Sequence, residues 1–291
     1  MSDTVLVSVV IPSYNRAGTV EKAIRSVLAQ TYRSLELILV DDGSKDDTQA
    51  VVEAIGDSRI RYVYQENAGA CAARNHGAEL AKGDIIAFHD SDDTWHPDKL
   101  EKQVRAMEQY DADVVIGKLL MIQPDGTKTL YPKRIGEGFV SPSDDLFGIG
   151  TQTILARRRV LDAVRFDSSF PRYQDLDWMV RAVGQFRIYC LDEGMVDYIV
   201  GADSISSNPV KMYQALRLMD EKYPDLKKRY PALAMHIVRN LVFNWKDFRA
   251  VAGDQKREYW SLTRRYYPGA LSYLASRLKG RRRAANSDGR G

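Results

Sequence analysis

Short apolar runs rich in β-branched residues alternate with helical patterns through the first part of this 291-residue chain. Runs of this kind are typical of strands that are buried on both faces. The repeated order of strand, helix and strand predicts an α/β domain with a mostly parallel sheet flanked by helices. The predicted strands are 5–12, 35–41, 59–65, 84–89 and 112–117, and the predicted helices are 19–30, 46–55 and 68–83.

The loops that follow the first four predicted strands are rich in polar and charged residues. They are PSYNR (12–16), DDGSKDDT (41–48), ENAGACAARN (66–75) and DSDD (90–93). Ligands of parallel sheets bind at the carboxyl ends of the strands. We therefore expect the functional site where these four loops meet.

Three carboxylates, Asp90, Asp92 and Asp93, follow the fourth predicted strand within four residues. Nearby like charges repel and raise each other's pKa, so some other group or ion must compensate the repulsion between these carboxylates. One explanation is a solvated loop that caps a helix starting at Pro97, which accounts for one carboxylate but not for three. The other is a divalent cation bound through the carboxylate oxygens, which could also hold a diphosphate.

Single residues in the other loops each have a structural and a functional explanation. Asp42 either closes a turn around Gly43 or accepts a hydrogen bond from a nucleobase. Tyr14 is either a half-buried aromatic residue or a ring that stacks on a base. Arg74 is either a solvent-facing charge or part of an ion pair, or it neutralises a phosphate.

The segment QDLD (174–177) runs into an apolar helical pattern. Asp175 or Asp177 could cap that helix, because the helix dipole favours a negative charge at its N-terminus. A carboxylate here could instead serve as a general base in the cleft formed by the strand ends. The residues alone leave both explanations open.

The last third of the chain differs in charge from the rest. Residues 1–200 carry a net charge of −8, whereas residues 201–291 carry +11. We predict a catalytic domain over 1–207 and a basic helical extension with a disordered tail over 208–291. Helix interruptions are expected at Pro224, Pro231, Gly253 and Pro268.

The composition favours a reducing compartment. Cys71 and Cys190 are far apart, which predicts neither a disulfide framework nor a thiolate zinc site. The first apolar run has no basic region before it and is cut short by Pro12, so we interpret it as a strand, not a signal peptide. No stretch is long and apolar enough for a membrane-spanning helix. We expect a cytoplasmic protein that lies at the inner face of the membrane.

Four segments together resemble the family-2 glycosyltransferases, which are inverting enzymes of the GT-A fold. They are SVVIPSYNRAGTVEKAIRSVLAQTY, LELILVDDGSKDDT, NAGACAARNHGAELAKGDIIAFHDSDDTWHPDKL and YQDLDWMVRA, spread over residues 8–182. The resemblance implies a GT-A, Rossmann-like sheet and a nucleoside-diphosphate sugar donor, with UDP expected as the nucleotide. It also implies a Mn²⁺ or Mg²⁺ cofactor and transfer of one sugar to a glycan or lipid-linked acceptor in bacterial surface polysaccharide synthesis.

The resemblance also implies a role for each candidate residue. Nucleotide binding would fall to Pro12, Tyr14, Asp42, Arg74 and Asp90, metal binding to Asp92 with help from Asp93, and the role of catalytic base to Asp175. Gln174 stands where the family commonly has Glu, which puts acceptor choice in question. The absence of a QxxRW motif favours transfer of a single sugar over processive synthesis.

Three other functions fit the sequence less well than glycosyl transfer. A sugar nucleotidyltransferase usually has a glycine-rich basic loop after its first strand, whereas PSYNRAG has one glycine and one arginine. An inactive nucleotide-sugar-binding scaffold would be favoured by loss of Asp92 or Asp175, and both are present. The basic tail lacks a recognisable nucleic-acid-binding module, so no nucleic-acid partner is expected. We expect the tail to contact an anionic membrane surface instead.

Overall fold

The computed structural model describes residues 5–199, 208–243, 261–263 and 265. The chain divides into two compact units, Met1–Ser204 and Ile205–Gly291. The predicted boundary at 207/208 lies beside residues outside the described ranges and stays a prediction.

The first unit contains a ten-stranded sheet. Its strands are β1 (Val7–Ser13), β2 (Leu35–Asp41), β3 (Ile60–Tyr64), β4 (Ile85–Phe88), β5 (Thr94–Trp95), β6 (Val114–Ile122), β7 (Lys128–Tyr131), β8 (Gly138–Phe139), β9 (Leu155–Arg157) and β10 (Ile188–Ile199). Its helices are α1 (Val20–Leu28), α2 (Thr48–Ile55), α3 (Ala70–Leu80), α4 (Lys99–Gln109), α5 (Arg158–Ala163) and α6 (Gln174–Ala182), with a short 3-10 turn at Thr151–Thr153. All five predicted strands and all three predicted helices are present.

The strand order is β3-β2-β1-β4-β9-β6-β10-β5, with β7 beside β6 and β8 beside β10. The first four strands are parallel, and so are β6 and β10. The strands β5, β7, β8 and β9 pair antiparallel with their neighbours. The α/β class is therefore confirmed, with a mixed sheet whose predicted parallel part forms one half.

The strands β1, β2 and β4 of the parallel half are almost entirely buried, as their continuous apolar sequences require, whereas the edge strand β3 is only partly buried. Every residue of β1 is buried, and so is every residue of β4. Helix α3 packs very closely on this half. A Cβ atom added at Gly77 would lie 2.3 Å from Cγ1 of Val10. Glycine at this position thus lets α3 approach the sheet and sets the depth at which the helix carries Arg74.

The turn predicted within QPDGTK is confirmed as the connection between β6 and β7. The backbone N–H of Gln123 donates to the carbonyl of Thr127, and that of Gly126 donates to the carbonyl of Gln123. Gly126 has a φ of 82°, which glycine adopts without strain.

Strand β10 was not predicted from the sequence. Its central residues Asp192, Glu193 and Gly194 interrupt the apolar pattern, and its pairing with β6 shifts register on both sides of Gly194. An irregular strand of this kind does not produce a period-2 pattern.

The second unit is helical in its described part, as predicted. It contains α7 (Pro209–Lys222), α8 (Leu226–Arg229) and α9 (Pro231–Phe243). Asn208 caps α7, because its side-chain oxygen accepts from the backbone N–H groups of Val210 and Lys211. The predicted interruptions at Gly253 and Pro268 and the predicted disordered tail lie outside the described residues. Among the helices that are described, none is long and apolar enough to cross a membrane.

Candidate active site

The register of the parallel strands brings the predicted site loops to one edge of the sheet. Ser13 pairs with Asp41 across β1 and β2. On the other side of β1, Val10 pairs with Phe88, and the N–H of His89 donates to the carbonyl of Val10 at 3.0 Å. The loop after β1 thus lies between the DDGS loop and the DSDD loop, as the sequence predicted.

Pro12 and Tyr14 lie at the end of β1 with different environments. Pro12 is buried within the strand, opposite Val40. Tyr14 is 46% exposed, so its ring is accessible to a ligand. The half-buried alternative for Tyr14 is therefore the weaker one.

The Asp42 carboxylate holds the segment that leads into α3. It accepts hydrogen bonds from the backbone N–H groups of Ala68 and Gly69, both at 2.8 Å, and from Nε2 of Gln65 at 2.7 Å. A carboxylate has about four acceptor positions. These three bonds from described residues leave one position for a nucleobase N–H. The turn around Gly43 is instead closed by Asp41, whose Oδ1 accepts from the backbone N–H of Ser44 at 2.7 Å, so the turn explanation applies to Asp41 and not to Asp42.

Arg74 connects the DSDD loop to the beginning of α6. Its Nη2 donates to Oδ1 of Asp90 at 2.8 Å, and its Nη1 donates to Oε1 of Gln174 at 3.4 Å. The residue is only 7% exposed, and its Nε is buried without a hydrogen-bond partner among the described residues. Arg74 is therefore not a solvent-facing charge but a buried guanidinium that forms an ion pair with Asp90, and its contact with a phosphate stays a prediction.

Each carboxylate of the DSDD loop has a different neighbour. Asp90 pairs with Arg74, as described above. Oδ2 of Asp92 lies 3.4 Å from Nη2 of Arg16. Oδ2 of Asp93 accepts from Nε2 of Gln152 at 2.7 Å. Each of the three carboxylates thus has its own side-chain partner, but their charges still act on one another.

Two of these carboxyl groups have raised pKa values. Burial raises the pKa of Asp93 to about 8, and the charges of Asp90 and Asp92 act in the same direction. Burial and the charge of Asp90 also raise the pKa of Asp92, although Arg16 opposes this shift. A positive charge brought to this loop would favour the ionised form of both groups.

The loop rests on a buried polar layer. The backbone N–H of Trp95 donates to Oγ of Ser26 at 3.1 Å, and the indole N–H donates to the carbonyl of Gln152 at 3.1 Å. Lys99 is fully buried beneath the Trp95 ring, and its amine donates to Oε1 of Gln103 at 2.7 Å. Burial lowers the pKa of Lys99 well below its ordinary value. The bonds of this layer fix the loop against the core.

Asp175 lies in the first turn of α6, close enough to Arg74 and Asp90 for their charges to act on it. Burial raises its pKa, and the charge of Asp90 adds to that rise. A raised pKa suits a general base that works near neutral pH. Asp177, the other candidate in QDLD, is fully buried and pairs with Arg181 at 2.7 Å, which is a structural role.

Tyr173 immediately precedes this helix in a left-handed backbone conformation, with φ 62°. Such a conformation is uncommon for a residue other than glycine and often occurs at functional sites. Its hydroxyl oxygen is buried without a hydrogen-bond partner in the described part of the chain, and its ring lies 5.3 Å from that of Phe147. The guanidinium of Arg172 lies over the Tyr173 ring, 4.7 Å from its centroid, so this aromatic residue connects the loop before α6 to its neighbours.

Three residues of this site were not identified from the sequence. Arg16 lies in the PSYNR loop, and a basic residue directly after the first strand was the one sequence signal that could have identified it as a site residue. Gln152 comes from the 3-10 turn far along the chain, and nothing in its surroundings marks it. The positive φ of Tyr173 likewise has no signal in the sequence.

The residues fit a divalent cation that is shared with a ligand. In the described ranges, no three His, Cys, Asp or Glu side chains are grouped so that they could hold a metal by themselves. Mg²⁺ is commonly bound by one or two carboxylates together with substrate phosphates and water. The exposed carboxylate of Asp92, beside Asp90 and Asp93, offers oxygen ligands of this kind.

The chain matches the model of a known protein family and resembles several known proteins. The family is described as glycosyl transferase family 2, and the match covers residues 8–169. The chain is 37% identical over 213 residues to TuaG of Bacillus subtilis strain 168, which is named for teichuronic acid biosynthesis. That alignment covers 71% of this chain and 83% of TuaG.

Two further proteins illustrate the likeness. The Escherichia coli UDP-Glc:alpha-D-GlcNAc-diphosphoundecaprenol beta-1,3-glucosyltransferase WfgD is 34% identical over 214 residues, which cover 72% of this chain and 83% of WfgD. The crystal structure of S. aureus TarS 1-349 in complex with UDP-GlcNAc superimposes with a TM-score of 0.72 at 20% identity. The superposition covers 88% of this chain and 78% of that one, and it shows that the two share a fold.

Proposed function

Because the chain belongs to glycosyltransferase family 2, we propose that it moves one sugar from a nucleoside-diphosphate sugar to an acceptor hydroxyl with inversion. The observation that carries the proposal is the contact of Arg74 with both Asp90 and Gln174. This buried cation joins the strand-end cleft to the helix that bears Asp175. This arrangement supports the proposal that Arg74 binds the phosphates and Asp175 removes the proton within one cleft.

The donor is proposed to be a UDP-sugar. The names of WfgD and of the TarS complex, which mention UDP-Glc and UDP-GlcNAc, support this choice by relationship. On this chain, the exposed ring of Tyr14 would stack on the base, and the remaining acceptor position of Asp42 would bond a base N–H. Pro12 would form the buried floor of this pocket. Arg74 has donors for the diphosphate and needs little reorganisation, because it is already desolvated.

The DSDD loop is proposed to hold Mn²⁺ or Mg²⁺ through Asp92 with help from Asp93, while Asp90 contacts the nucleotide. When bound, the cation would supply positive charge that stabilises the nucleoside diphosphate as it leaves. Burial and neighbouring carboxylates raise the pKa values of Asp92 and Asp93. A cation bound here would offset that effect by favouring the ionised form of both groups.

Asp175 would act as the general base. Its carboxylate would take the proton of the acceptor hydroxyl while the hydroxyl oxygen forms a bond to the anomeric carbon. The bond between that carbon and the diphosphate oxygen breaks, and its electron pair leaves with the diphosphate. This single displacement from the opposite face inverts the configuration and needs only one base.

The acceptor is proposed to be a sugar linked to a lipid diphosphate. The name of WfgD, which specifies such an acceptor, supports this class. The ring of Tyr173, two residues before Asp175, is proposed to contact the acceptor sugar. The predicted contact of the basic extension with an anionic membrane, attributed to Lys279 and Arg281–Arg283, concerns residues outside the described ranges and stays a prediction.

A screen of nucleotide sugars would test the proposal. UDP-, GDP- and dTDP-sugars would be incubated with the protein and Mn²⁺, with and without a synthetic polyprenyl-diphosphate-linked N-acetylglucosamine. We expect hydrolysis of one UDP-sugar that accelerates with the acceptor, and a product whose anomeric configuration, measured by NMR, is opposite to that of the donor. A product that retains the donor's configuration would contradict the single-displacement proposal.

A further inference from the structure

The side chain of Arg16 faces Asp92 at the edge of the proposed metal site. Its Nη2 lies 3.4 Å from Oδ2 of Asp92, and the two side chains are 40% and 49% exposed. Asp90 and Asp93 have other neighbours, namely Arg74 and Gln152. The carboxylate best exposed for metal binding is thus the one that Arg16 neutralises.

The backbone around Arg16 is firmly attached to the loop after β2. The N–H of Arg16 donates to Oγ1 of Thr48 at 2.9 Å, and the N–H groups of the residues on either side donate to Ser44 and Asp46 at 2.9 Å and 3.0 Å. The starting point of the Arg16 side chain is therefore fixed beside the cleft. The guanidinium itself is partly exposed and can change partner at small cost.

A guanidinium and a divalent cation compete for the same carboxylate. Each repels the other, and the cation needs the oxygen that Arg16 now contacts. A diphosphate bound in this cleft would give Arg16 a better partner, because a guanidinium fork matches phosphate oxygens and forms charge-assisted hydrogen bonds to them.

We infer that Arg16 is a donor-binding residue that exchanges Asp92 for the diphosphate of the nucleotide sugar. The exchange frees Asp92 for the divalent cation, so the cation binds well only together with the nucleotide. Before the donor arrives, Arg16 protects the carboxylates from free cations. This inference rests on the proposed metal and donor site and adds an order to its assembly.

The variant Arg16→Gln tests the inference because it should change two affinities in opposite directions. Binding of Mn²⁺ alone, followed by the electron paramagnetic resonance signal of free Mn²⁺, should become tighter by at least about twofold, as expected for loss of an exposed competing ion pair. Binding of UDP at saturating Mn²⁺, measured by calorimetry, should weaken by roughly tenfold because a charge-assisted bond is lost. Arg16→Lys, which keeps the charge, should restore most of the protection against Mn²⁺ alone.

Arg25→Gln is a matched control, since Arg25 is an exposed arginine on α1 that pairs with Glu21. It should leave both affinities unchanged. Unaltered binding of Mn²⁺ alone in Arg16→Gln would overturn the inference, and so would a change of both affinities in the same direction, which indicates general damage to the loop. A wild-type UDP affinity that does not depend on Mn²⁺ would instead overturn the proposed metal site itself, and that result is visible without any variant.

Discussion

Replacement of Asp93 by Asn should stabilise the metal-free protein at alkaline pH. Asp93 is 4% exposed, and burial together with the charges of Asp90 and Asp92 raises its pKa from 3.8 to about 8. Between these two values the folded chain holds a proton that the unfolded chain releases. The stability contributed by the protonated group is therefore fully present below about pH 4 and is lost as the pH rises towards 8.

The size of the effect follows from the same numbers. Each pKa unit corresponds to about 1.36 kcal/mol, so the shift from 3.8 to about 8 means that ionised Asp93 costs the folded protein at most about 6 kcal/mol. Water entry and small rearrangements reduce such costs, and we expect about 2 to 4 kcal/mol at pH 8.5. Asn is a neutral isostere of the protonated acid and can still accept the bond from Gln152, so the variant should not pay this cost.

Urea denaturation in EDTA at several pH values between 5 and 9 would measure the difference. The free energy of unfolding of the wild type should fall more steeply with pH than that of Asp93→Asn, and the advantage of the variant should shrink steadily as the pH is lowered from 8 to 5. Asp98→Asn is the control, because Asp98 has a lowered pKa beside Lys102 and should leave the pH slope unchanged. Parallel pH profiles for the wild type and Asp93→Asn would refute the argument.

Two further variants test the catalytic end of the cleft. Asp175→Asn should reduce kcat by roughly 10²- to 10⁴-fold. It should keep the affinity for UDP, measured by calorimetry, because a base acts on the acceptor and not on the nucleotide. A parallel loss of UDP affinity would indicate that Asp175 is a structural helix cap. Gln174→Glu should remove the hydrogen bond from Nε2 of Gln174 to the carbonyl of Phe170 and place a second carboxylate beside Arg74. The added charge should raise the pKa of Asp175, so the acid limb of the pH–rate profile should move to higher pH; an unmoved acid limb would exclude this coupling.

The sequence predicted the parallel half of the sheet because strands buried on both faces must be continuously apolar. The family resemblance, and not the residues alone, implied that Asp90, Arg74 and Asp175 share one cleft, and the structure pairs Arg74 with Asp90 at 2.8 Å. Contacts such as those of Arg16 with Asp92 and of Gln152 with Asp93 depend on how distant loops pack and on which rotamers they allow. No local pattern encodes them, and the register shifts of β10 escaped prediction for the same reason.

We propose above all that the DSDD loop binds the donor's diphosphate through a divalent cation. Calorimetric titration of UDP into the wild type and Asp92→Asn, each with Mn²⁺ and with EDTA, tests it most directly. We expect Mn²⁺ to strengthen UDP binding to the wild type and to have almost no effect on the variant, because a neutral amide is a poor ligand for a hard dication. An equal Mn²⁺ dependence in both proteins would contradict the assignment of Asp92 as a metal ligand.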